Sequence, residues 1–127
     1  MHGKLALITG GTRGIGRAVA LKLGALGADV VVNYNRSAED AENVVAELAA
    51  LGVTGTPMQA NVGDLDDIHR LFDEVSQRFG GLDILVNSAA RGLQRPRSAI
   101  TSLPNHLRQT FDMNVLCLLY TSDAADE

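Results

Sequence analysis

Gly10, Gly14 and Gly16, in the run ITGGTRGIG, are the residues whose spacing most plainly suggests chemistry. Without side chains, a turn of this kind lets backbone N–H groups and the positive end of a following helix approach a phosphate closely. Thr12, Arg13 and Ile15 fill the gaps and complete the candidate cradle. Glycines carry this meaning only between a strand and a helix, so the flanking residues decide.

They have the required pattern. KLALIT, residues 4 to 9, is a short apolar run of the kind a buried parallel strand shows, and IGRAVALKLGALG follows with helical spacing. Ile15, Val19, Leu23 and Leu26 give the predicted inward stripe, and Gly27 suits a C-terminal stop before a second strand, DVVVNY. Ser37 with Asp40 resembles a capping box for a second helix, whose stripe is Ala41, Val44, Val45 and Leu48 and whose end is Gly52. A third strand, TPMQAN, leads to Asp64 as the N-cap of a third helix with Ile68, Leu71, Phe72, Val75 and Phe79 on one face. Gly80 and Gly81 close it, LDILVN reads as a fourth strand, and after a polar loop over 88–103 a fourth helix begins with Leu107, Phe111 and Val115.

Strands alternating with helices imply right-handed crossovers and a parallel sheet covered on both faces. The expected fold is α/β, a doubly wound parallel sheet of Rossmann type. Such sheets normally carry more than four strands, so the expectation is a sheet truncated after about four.

The end of the second strand bears on the ligand. An Asp or Glu there would accept from the ribose hydroxyls of NAD and repel a 2′-phosphate. This sequence has Tyr34 and Asn35 instead, followed by Arg36 and Ser37, with Arg13 in the glycine turn. Two guanidiniums converging on one position suit a dianion. The expected cofactor is NADP(H).

Bulk properties narrow the partners. A net charge of −4 and a pI near 5.3 disfavour nucleic acid and anionic membrane surfaces, leaving a small-molecule or carrier-bound substrate. The N-terminal apolar run is too short for a secretory signal, which points to a cytoplasmic protein. The single cysteine, Cys117, forms no internal disulfide, and His2, His69 and His106 lack metal-ligand spacing, so no metal is expected.

The spacing Thr-Gly-x-x-x-Gly-x-Gly resembles the short-chain dehydrogenase/reductase family, and further motifs extend the resemblance over residues 4 to 116. ANVGD, with Asn61 and Val62, resembles the family's adenine-side loop, although Asp is commoner where Asn61 stands. LDILVNSAA, with Asn87, Ser88 and Ala89, resembles its Asn-Asn-Ala-Gly segment, with Ser88 replacing the second Asn and Ala90 the Gly. Asn114 in FDMNV falls where the family places its active-site Asn. The resemblance implies hydride transfer assisted by a Tyr, a Lys, a Ser and that Asn. The only tyrosines, Tyr34 and Tyr120, have Ala38 and Ala124 four residues on, so the Ser and the Tyr-Lys pair are expected beyond this sequence.

The loop NSAARGLQRP resembles the short-chain-type enoyl-[acyl-carrier-protein] reductases, which implies an acyl-thioester substrate in fatty acid synthesis. The alternatives are a 3-oxoacyl-[acyl-carrier-protein] reductase or another carbonyl or alcohol enzyme of the family. A different class, an NADP(H)-binding module without chemistry, also fits the residues present. Family resemblance further implies a homotetrameric or homodimeric parent. The final run, CLLYTSDAADE at 117–127, abandons the helical stripe and is compatible with translation of a transposon-type sequencing-library adapter. Residues 1–116 are therefore expected to be the NADP(H)-binding half of one domain, and 117–127 a non-native tail.

Overall fold

The computed structural model describes residues 1–89. Asn114, the polar loop beyond Ala89, the fourth helix and the 117–127 tail lie outside the described residues. Within them the elements run β1 (Leu5–Thr9), α1 (Gly14–Ala25), β2 (Asp29–Tyr34), α2 (Ala38–Ala50), β3 (Gly55–Gln59), α3 (Leu65–Phe79) and β4 (Ile84–Asn87). The strands form one parallel sheet in the order β3-β2-β1-β4.

Side-chain alternation sorts each strand between two cores. Ala6 and Ile8 of β1 and Val30 and Val32 of β2 face α1 and α2, where they meet Ala20, Val44 and Leu48. Leu7 and Val31 point the other way, onto Ile68, Leu71 and Val75 of α3. Each fully buried Val, Leu or Ile side chain contributes about 1.5–3 kcal/mol relative to exposure, and two such layers hold the sheet between its helices.

The helix ends follow local chemistry. Ser37 Oγ accepts from Asp40 N at 3.4 Å, and Asp64 accepts from the N–H groups of Asp66 and Asp67. Both helices carry acids in the first turn, which suits the positive end of the helix dipole. Gly80 closes α3 with φ 76°.

Two predicted stripes need correction. In α1, Ile15 is 79% and Leu26 46% exposed, while Gly16, Ala20 and Gly24 are buried and Val19 and Leu23 pack at the margin. Small residues face inward because α1 crosses its neighbours closely: a Cβ on Gly24 would lie 2.5 Å from Leu48 Cδ2. In α3, Phe79 is 38% exposed, because it ends the helix, and it meets the Arg78 guanidinium, 5.6 Å from its ring centre.

From β1 the chain steps to β2 and β3 on one side, then crosses back to place β4 on the other. The carboxyl ends of β1 and β4 therefore part at a topological switch point, where open α/β sheets form their ligand crevice. Among the described residues, no helix is long and apolar enough to cross a membrane.

Candidate dinucleotide site

A cavity of about 350 Å³ opens at that switch point, within the ~300–1,000 Å³ span of small-molecule sites. Gly10, Thr12 and Arg13 from the turn after β1 form one wall. The end of β2 and its continuation, Asn33 to Ser37, form a second, and Ala60, Val62, Ser88 and Ala89 complete the lining.

The floor is held by buried hydrogen bonds. Asn33, 2% exposed, accepts at Oδ1 from Gly10 N (3.2 Å) and donates through Nδ2 to Met58 O (3.3 Å) and Ala60 O (3.2 Å). Its own carbonyl accepts from Gly11 N at 3.2 Å. One side chain thus ties the glycine turn to the end of β3. On the opposite side Thr9 Oγ1 accepts from Ser88 N (3.2 Å) and Ala89 N (3.3 Å), and Ser88 Oγ donates to Thr9 O at 2.5 Å.

These ties bring the chain so close that side chains are excluded. Gly10 has φ 64°, and a Cβ there would lie 2.8 Å from Ala89 Cα. A Cβ on Gly16 would run into Gly10 O and Ser88 Oγ. The glycines are therefore required by backbone approach, and the approach leaves α1 starting at the cavity wall.

That helix start differs from the other two. Arg13, the N-cap of α1, has extended backbone and makes no side-chain cap, and no acid occupies the first turn. Among the described residues no N-cap side chain covers the first N–H groups of α1, the kind of helix start at which anions bind.

Each of the two walls carries a guanidinium. Arg13 and Arg36 both line the cavity, and Arg13 is paired: its Nε donates to Asp40 Oδ2 at 2.8 Å. The Arg13 hydrogen bond, then that of Ser37, holds the Asp40 carboxyl below the ordinary carboxylate range, against an opposing push from burial.

Not every predicted residue lines the cavity. Gly14, Ile15 and Gly16 stand beside it in the first turn of α1. Asn61 turns its side chain into its own loop, where Oδ1 accepts from Gly63 N at 3.0 Å, and its neighbours Ala60 and Val62 face the cavity instead. Asn87 ends β4, in register with Thr9, and is exposed. Asn33, Thr9 and Ala60 were not predicted, although an Asn within the apolar run DVVVNY was a visible signal.

The family model for short chain dehydrogenases matches residues 4–126. The chain belongs to the short chain dehydrogenase family. Among its relatives is the short chain dehydrogenase mdpC of Emericella nidulans, 49% identical over 89 residues, which are 70% of this chain and 34% of that protein. A 3-oxoacyl-[acyl-carrier-protein] reductase of Staphylococcus aureus is 51% identical over 86 residues, 68% of this chain and 35% of that one. A crystallised short chain dehydrogenase of Burkholderia cenocepacia in complex with NADP is 42% identical, with a TM-score of 0.88 over 98% of this chain and 50% of that one. The chain thus spans about a third of the length of these curated relatives and half that of the solved structure.

Proposed function

We propose that the cavity binds NADP(H) and that the protein is an NADP(H)-dependent oxidoreductase. The single observation that carries this reading is the cavity's two-part lining: an uncapped helix start behind a glycine turn, and two guanidiniums, that of Arg13 reaching out from the turn and that of Arg36 from beyond β2. The fit is physical. The space that a Cβ on Gly10 or Gly16 would fill is occupied by neighbouring chain, which holds the turn tight against the start of α1. With Gly10 N and Gly11 N already bonded to Asn33, the N–H groups offered to a pyrophosphate are those that follow, at the helix start. Tyr34 and Asn35, in place of an acid at the end of β2, leave the adenosine 2′ position open to a phosphate.

In this reading Thr12, Gly14, Ile15 and Gly16 hold the pyrophosphate, Arg13, Asn35, Arg36 and Ser37 hold the 2′-phosphate end, and Asn61 and Val62 border the adenine. Asn87, Ser88 and Ala89 support the nicotinamide side. When bound, the cofactor supplies the hydride. Asn114 is the proposed catalytic residue, positioning the proton relay that answers the hydride.

The 51% identity to a 3-oxoacyl-[acyl-carrier-protein] reductase supports ketone reduction on an acyl thioester. The loop that suggested an enoyl substrate lies outside the described residues, and enoyl reduction is the second reading. A cytoplasmic homodimer or homotetramer accords with either.

Titration of the chain with NADPH and NADH tests the cofactor. NADPH should bind tighter, and Arg36→Glu should weaken NADPH far more than NADH; equal losses would contradict the assignment. A 3-oxoacyl thioester and an enoyl thioester, offered in turn with NADPH to the full-length enzyme, separate the substrates.

A further inference from the structure

We propose that Asp40 is a specificity-positioning residue, which holds Arg13 in place for the 2′-phosphate before the cofactor arrives. The proposal rests on the NADP(H) reading above. Arg13 projects from the glycine turn, its side chain 77% exposed, and a free arginine in that setting would sample many rotamers. Asp40 fixes it. Arg13 Nε and Nη2 both lie 2.8 Å from Asp40 Oδ2, so one edge of the guanidinium is committed. The Nη1 edge makes no further bond among the described residues, which leaves donors in a planar fork for a phosphate.

The support for Asp40 is itself rigid. It sits in the first turn of α2, and its backbone N–H is bonded to the N-cap Ser37. Arg36 immediately precedes that cap. One short turn therefore carries both the second guanidinium and the carboxylate that holds the first.

A contrasting pair lies farther along the same two helices. Arg17 Nη2 meets both carboxylate oxygens of Glu47, at 2.5 and 2.6 Å, away from the cavity lining. That pair clasps α1 to α2 and nothing more. If Arg13 and Asp40 only repeated the clasp, removing either pair would affect all ligands alike.

The opposing effect is repulsion between Asp40 and a 2′-phosphate. Asp40 is already neutralised by Arg13, and exposed charges are screened by solvent. Prepaid ordering of a long side chain should dominate.

Calorimetric titration of the 127-residue chain with NADPH and NADH, for wild type, Asp40→Asn, Asp40→Glu and Glu47→Gln, tests the assignment. Asp40→Asn should lower the NADPH-to-NADH affinity ratio about three- to tenfold, the ordering cost of one such side chain, with NADH affinity little changed. Asp40→Glu, which keeps the carboxylate, should recover most of the ratio, and Glu47→Gln should leave it unaltered. Equal weakening of both cofactors by Asp40→Asn would reduce Asp40 to a structural clasp and overturn the proposal. A higher ratio would make Asp40 a competitor for Arg13 and overturn it equally. A wild type with no preference for NADPH would instead remove the NADP(H) reading, and this proposal with it.

Discussion

The two ends of the cavity are built on opposite terms. At the glycine end, Thr9, Gly10, Gly16, Asn33 and Ser88 are joined by hydrogen bonds and backbone approaches that admit no extra atom. At the arginine end, Arg13, Arg36 and Asp40 stand at the surface, where charge holds Arg13 to Asp40. Buried polar contacts lose heavily when one partner is removed, whereas exposed ion pairs contribute little to stability. The contrast assigns shape to one end and selectivity to the other. Damage to the first should impair every dinucleotide, and damage to the second should separate NADPH from NADH.

The strongest way to break that contrast is Gly16→Val. Overpacking typically costs about 1–3 kcal/mol, and here the added atoms meet backbone that cannot yield. If about 3 kcal/mol falls on the turn, NADPH and NADH should both weaken by about a hundredfold, as fluorescence titration would show. Next comes Asn33→Ala, which leaves Gly10 N, Met58 O and Ala60 O without their side-chain partner. Unsatisfied buried groups cost about 1–3 kcal/mol, so urea unfolding should report a loss of that order, with the cofactor ratio preserved. At the other end, raising salt from 0.05 to about 0.5 M should shrink the preference for NADPH severalfold through screening, while NADH binding changes little.

Two smaller effects sharpen the picture. Ser37→Ala removes the N-cap of α2 and should cost about 1 kcal/mol, measurable by urea unfolding. The Asp40 carboxyl is held below its ordinary value, so its stabilising pairing is complete above the unfolded-state pKa of about 3.9. It disappears as pH falls through the lowered folded value. The stability difference between wild type and Asp40→Asn should therefore be present at pH 7 and vanish in stronger acid.

Much of this was legible in the sequence, for reasons that also mark where legibility stops. The glycine turn, the caps at Ser37 and Asp64 and all four described strands rest on local chemistry, and local chemistry is written along the chain. Helical spacing gives the angle of a side chain but not the distance to its neighbour. In α1 the large residues Ile15 and Leu26 mark one stripe by hydrophobicity, yet the close crossing selects Gly16, Ala20 and Gly24 on another. Asn33, and the pairing of the Asp40 carboxylate with Arg13, escaped for a related reason. Their partners lie up to 27 positions away, and only the folded sheet brings them together.

The most direct test of the two-ended site is an amide NMR titration of the chain with ADP and with 2′,5′-ADP. Both ligands should shift the amides of Gly10 to Gly16, and only 2′,5′-ADP should add Arg36 and Ser37. Identical shifts from the two ligands, or none in the glycine turn, would contradict the division of the cavity into a pyrophosphate end and a 2′-phosphate end.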